Sequence, residues 1–108
     1  MKIAITVVEQ AAPLAPFVLR GPFTDTIRQA GEIGFDAVEL HIPDPAEVSA
    51  QEIKRACQSA SVSVSSIGTG LAFVRDGLTL TSQDEAIRSE AIARLQACLL
   101  YTSDAADE

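Results

Sequence analysis

Gly34-Phe35-Asp36-Ala37-Val38-Glu39-Leu40-His41-Ile42-Pro43 sets a helix stop, a buried strand and a polar strand end side by side. Gly34 can take the left-handed conformation that ends a helix without steric cost, and Phe35-Asp36 then turn the chain into a strand over 37–42. With a period of two, Val38, Leu40 and Ile42 share one face, while Ala37, Glu39 and His41 share the other. A strand covered by helices on its apolar side, with Glu and His on the opposite side near its C-terminal end, suits the mouth of a parallel α/β enzyme. A half-buried strand with a solvated polar face fits the same pattern.

Upstream, Ile3, Ile5 and Val7 alternate with Ala4, Thr6 and Val8. A strand apolar on both faces belongs between two layers. Residues 9–22 carry Pro13, Pro16, Gly21 and Pro22 without helical period, which predicts a long loop leaving the C-terminal end of that strand. Loops of such length are often functional lids. Glu9 and Arg20 could meet a ligand there, although exposed charges in a mobile loop are the commoner case. Phe23, Ile27, Ala30 and Ile33 then have helical spacing, with Thr24 or Asp25 near the N-terminus and Gly34 as the stop.

Downstream, Pro43-Asp44-Pro45 breaks the chain, and Ser49-Ala50-Gln51-Glu52 has the spacing of a capping box opening a second helix. Cys57, on its apolar face, reads as a small buried residue rather than a nucleophile. Val62 to Ile67 is β-branched and short, a third strand. Gly68-Thr69-Gly70 lacks the third glycine and immediate helix of a dinucleotide fingerprint, so it predicts a tight turn beneath a pocket. Asp76-Gly77 between two extended-looking runs, 71–74 and 78–81, predicts a hairpin excursion. Ser82-Gln83-Asp84-Glu85 is another capping-box pattern, before a third helix lined by Ile87, Ala91 and Leu95, on which Arg88 could pair with Asp84. The order is βαβαβα with terse αβ turns and longer βα loops, which means parallel strands with chemistry at their C-terminal ends. Periodicity alone does not separate a (β/α)8 barrel cut short from a small doubly wound sheet.

A chain of 108 residues with 47% hydrophobic and 21% charged residues is a modest globular domain. No run approaches a spanning helix and no signal-peptide pattern precedes Ile3, so a cytoplasmic protein without a membrane partner is expected. A formal charge of −7 without a Lys/Arg cluster argues against nucleic acid. Residues 98–108, Cys-Leu-Leu-Tyr-Thr-Ser-Asp-Ala-Ala-Asp-Glu, resemble one translated reading frame of a transposon-based sequencing adapter. They are expected to be a non-native tail, and so abrupt an end favours reading 1–97 as the N-terminal part of a truncated barrel domain over a small complete sheet.

With these residues in view, the chain resembles the xylose-isomerase-like TIM-barrel superfamily, the sugar phosphate isomerases and epimerases related to apurinic endonucleases. The resemblance rests on Met1-Lys2-Ile3-Ala4-Ile5, on the Gly-Phe-Asp-x-Val-Glu-Leu phrase from Gly34 with His41, on Gly68-Thr69-Gly70, and on Asp76 to Thr81 with Arg88. It implies three βα units of a truncated (β/α)8 barrel, an N-terminal fragment inactive alone, of a parent that moves a proton through an enediolate. It further implies a divalent metal in that parent (Mn, Mg, Co or Zn), held by Glu, Asp, His and Glu of later strands. No metal ligand and no catalytic residue carries over to this chain, and no cofactor is expected in it. Glu39, His41 and Thr69 carry over as substrate-binding wall, with a sugar as small-molecule partner and oligomeric state left open. A metal-dependent abasic-site endonuclease of the same fold and a small non-enzymatic α/β binding module are the alternatives.

Overall fold

In the computed structural model, which describes residues 1–106, parallel strands stand in the order β2-β1-β3-β4. Here β1 is Ala4–Val8, β2 is Leu19–Arg20, β3 is Ala37–His41 and β4 is Ser63–Gly68. The helices are α1 (Phe23–Ile33), α2 (Ala50–Ala60), α3 (Leu71–Asp76) and α4 (Glu85–Ala106), with a 3₁₀ turn at Pro45–Glu47. The three longer strands β1, β3 and β4 lie side by side in chain order. Each right-handed crossover therefore advances in the same direction and keeps its helix on the same face, as in a barrel, with no reversal of the doubly wound kind.

The register explains the two faces. Ile5 is level with Val38, and Val7 with Leu40, so their side chains share the helix-covered face with Ile42; Val7, Val38, Leu40 and Ile42 are each 0% exposed. They form one core with Phe23, Ile27 and Ala30 of α1 and Ile53 and Cys57 of α2. The thiol of Cys57 is pushed up to about 11 by this burial, which fits an inert apolar residue. On the opposite face the level rows are Thr6, Glu39 and Ser66, then Val8, His41 and Gly68. A bulge in β4 just before these rows, between the Val38–Val64 and Glu39–Ser66 pairs, leaves Ser65 to donate its hydroxyl to the Val38 carbonyl at 3.2 Å.

The local stops and starts are chemical. Gly34 ends α1 at φ 113°, its amide returning to the Ala30 carbonyl. Ser49 caps α2, accepting from the Glu52 amide at 3.3 Å. Asp36 ties the strand N-termini together: its carboxylate accepts from the Ile3 amide at 2.8 Å, and its carbonyl accepts from the Ser63 amide at 3.1 Å. The acid in Gly-Phe-Asp is thus a clamp at the end of the sheet opposite His41.

Four expectations are corrected. The 9–22 segment is not wholly loop, because Leu19–Arg20 adds a short parallel strand beside Val7 and Val8. Residues 71–76 are helical rather than a hairpin arm, so a helix follows Gly68-Thr69-Gly70 at once where the sequence pattern suggested none. Gly77, at φ 70°, closes that helix, and Leu78 donates back to the Ala72 carbonyl, so the Asp-Gly pair serves a helix end as readily as a hairpin turn. The N-terminus of α4 is capped by Asp84, which accepts from the Ala86 amide at 2.9 Å, while Ser82 accepts from the Asp84 amide at 3.1 Å. Arg88 donates to the Ser82 carbonyl in place of the ion pair with Asp84. Helix α4 runs on past Ala97, burying Cys98 and Tyr101. Asp107 and Glu108 lie outside the described residues.

Candidate functional site

Glu39 and His41 meet at the C-terminal end of β3. Being two apart on one strand, they point to the same face, the face without helices. His41 Nε2 lies 2.8 Å from Glu39 Oε2, and Ser66 Oγ donates to Glu39 Oε1 at 2.7 Å from the level position on β4. These two hydrogen bonds, the Ser66 one first, hold the Glu39 carboxyl below its ordinary value of 4.5. Ionised, Glu39 can only accept, so Nε2 of a neutral His41 carries the proton and Nδ1 is left as an acceptor. Among the described residues Nδ1 has no hydrogen-bond partner.

Two further contacts hold the imidazole. It lies so close to Gly68 that a Cβ there would stand 2.5 Å from its Cε1 and 2.6 Å from its Nδ1. Phe17, in the loop after β1, meets it edge-on, with ring centroids 4.9 Å apart at 71°. A glycine level with the histidine and an aromatic ring from a different loop pack against this side chain. Neither partner was identifiable from sequence, because both contacts depend on strand register and loop course.

The hollow beside His41 is a cleft of ≈ 300 Å³ lined by Val8, Glu9, His41, Asp44, Glu47 and Arg75 among others. It lies at the strand C-termini, where the loop asymmetry put the chemistry. Partial burial of its carboxyl, then repulsion from Glu47, raises the Glu9 pKa. Glu47 is held ionised by Arg75, which grips both its oxygens at 2.7 and 2.9 Å and also pairs with Asp76 at 2.7 Å. Arg94 of α4, only 12% exposed, joins this network through Asp76 at 2.6 Å and the Pro43 carbonyl at 3.0 Å. The network anchors α3 and α4 to the β3–α2 connection.

Thr69 does not join Glu39 and His41. It lines a separate hollow of ≈ 260 Å³ with Phe73, Leu78, Leu80, Ala91 and Arg94, and its carbonyl accepts from the Ala72 amide at the start of α3. Arg20 turns its guanidinium onto carbonyls of its own loop. A hollow of ≈ 700 Å³ is an open groove between α1 and α2 lined by Arg28, Glu32, Arg55 and small residues among others; neither Glu39 nor His41 lines it.

The Glu39 shift fixes an acid dependence. Because its folded value lies below the unfolded one, its contribution is fully present above the ordinary carboxylate range and fades as pH falls through the folded value. Glu39→Gln is therefore expected to flatten part of the loss of melting temperature between about pH 5 and about pH 2. Melting curves of both proteins over that range check it; an identical acid limb would mean that Glu39 is not held ionised by its neighbours.

A family model of xylose isomerase-like TIM barrels matches residues 27–105. No curated protein matches the chain.

Proposed function

Because the chain belongs to the xylose isomerase-like TIM barrel family, we propose that it forms the opening βα units of a metal-dependent sugar or sugar phosphate isomerase or epimerase. In this reading Glu39 and His41 stand in the substrate wall. The observation that carries it is the Ser66–Glu39–His41 chain at adjacent parallel strand ends, on the face that a closed barrel would turn inward. Its outward product is one imidazole acceptor of fixed direction. A sugar hydroxyl is the complementary donor, and the three-way hold on the ring spares binding the entropy of ordering it. The outer edge of β4 and the two-residue β2 leave the sheet unclosed, which supports further strands completing the barrel.

Among the described residues no group of three or more His, Cys, Asp and Glu could hold a divalent metal ion, so these residues do not fit one. Proton transfer by way of an enediolate is assigned to groups outside these residues. The cleft carboxylates Glu9, Asp44 and Glu47 outnumber Arg75, which is already engaged. That balance favours the neutral hydroxyl end of a substrate over a phosphate at this wall. It also disfavours the abasic-site endonuclease, as does a formal charge of −7 that stays acidic, at −4, without the three acids of 98–108, together with a single histidine.

The reading of 98–108 as a non-native tail is part of the proposal. Tyr101 packs its ring into the core, but its hydroxyl is buried without a hydrogen-bond partner among the described residues, a mismatch costing about 1–3 kcal/mol that supports this reading. The parent gene tests the whole. Its native sequence after residue 97 is expected to bring Glu, Asp, His and Glu to successive strand ends; strands without them would remove the isomerase assignment.

A further inference from the structure

We propose that Arg20 is a positioning residue for the site, holding the loop after β1 so that Phe17 fixes the His41 ring; this rests on the reading of His41 as substrate wall. Arg20 is the last residue of β2, anchored to the sheet at the level of Val8. From there Nε donates to the Phe17 carbonyl at 2.9 Å, Nη1 to the Ala12 carbonyl at 3.0 Å and more weakly to that of Ala11 at 3.3 Å, and Nη2 to the carbonyls of Ala15 and, at 3.4 Å, Pro13. One guanidinium thus gathers five carbonyls of a stretch with neither helix nor ladder, two of which, Ala12 and Ala15, also accept backbone amides. The loop closes on two backbone bonds of its own, Ala15 to the Ala12 carbonyl at 2.9 Å and Phe17 to the Ala15 carbonyl at 2.8 Å. The residue whose carbonyl Nε holds is the one whose ring stands against His41.

The links run in series: β2 fixes Arg20, Arg20 fixes the backbone at Phe17, and Phe17 meets the imidazole that also lies against Gly68. Lysine cannot replace arginine here, since an ammonium is a compact charge with three donors and no planar fork to span carbonyls at both ends of the loop. The two-residue β2, which contributes little to the sheet by itself, gains a purpose as the mounting for this side chain.

The chain has one histidine, so its ring signals report on the site without assignment ambiguity. In the full chain a nuclear Overhauser contact between the Phe17 and His41 rings is expected. Phe17→Leu removes the ring-current contribution to the His41 proton shifts. Arg20→Ala and Arg20→Lys are each expected to move those shifts in the same direction by at least half as much. His41 signals at their wild-type positions in both arginine variants, with Phe17→Leu moving them, would overturn the proposal. Absence of the contact in the unmodified chain would do so whether or not a variant folds. Addition of D-fructose separates the two readings: if the contact and variant shifts hold and His41 ignores the ketose, the sugar-binding reading fails and the positioning role stands.

Discussion

Leu40→Ala is expected to lower the free energy of unfolding by about 2–5 kcal/mol. Leu40 sits in the middle of the sheet, level with Val7 on one side and Ile67 on the other, and is 0% exposed against the helices. Removing most of its side chain deletes buried apolar area and leaves a cavity that a parallel strand hydrogen-bonded on both edges cannot collapse to fill. Against a total stability of about 5–15 kcal/mol for a domain this size, the change takes a large share. Urea unfolding reads it as a lowered midpoint with an unchanged slope. Leu14→Ala, at a position 98% exposed, is the control and is expected to stay within about 0.5 kcal/mol of the parent. Equal effects at the two positions would contradict the assignment of the apolar face of β3 to the core.

Gly68→Ala has its largest effect on the site. The new Cβ would stand 2.5 Å from His41 Cε1, inside any tolerable contact, and what must yield is the end of a side chain. The imidazole is expected to swing away, giving up the 2.8 Å bond to Glu39 Oε2 and the Phe17 edge contact. Stability falls only by the cost of overpacking, about 1–3 kcal/mol. The Glu39 carboxyl, keeping Ser66 and losing His41, moves back up toward its ordinary value. Carboxyl-carbon NMR against pH measures that rise, and an unchanged Glu39 titration would mean that the ring stays in place.

The strand and helix pattern from Ala4 to Gly68 could be read from sequence because its determinants are local. A period of two puts Val38 and Leu40 opposite Glu39 and His41, Gly34 supplies the left-handed stop, and Ser49 supplies a cap. Local signals failed where one signal serves two structures. Asp76-Gly77 can end a helix or turn a hairpin, and Leu71-Ala72-Phe73-Val74 is too short and too apolar to carry a period. Ser82 and Asp84 are both competent caps two residues apart, and the chain uses the second. Leu19–Arg20 has no pattern to detect, since its pairing with Val7 and Val8 is decided by the fold. In the site, strand alternation put Glu39 and His41 on one face, and the bond between them is seen only in the structure. Ser66, Gly68, Phe17 and Arg20 join it only through register, a bulge and a loop course. Thr69, next to Gly68 in sequence, is turned into a different hollow by the start of α3.

The most direct measurement is nitrogen-15 NMR of His41 in the full chain near neutral pH, with and without a ketose. The proton is expected on Nε2, facing Glu39, and Nδ1 is expected to change its shift as a sugar hydroxyl donates to it. A proton on Nδ1, or an Nδ1 signal indifferent to the sugar while the chain remains folded, would contradict the account of this strand end as a substrate wall.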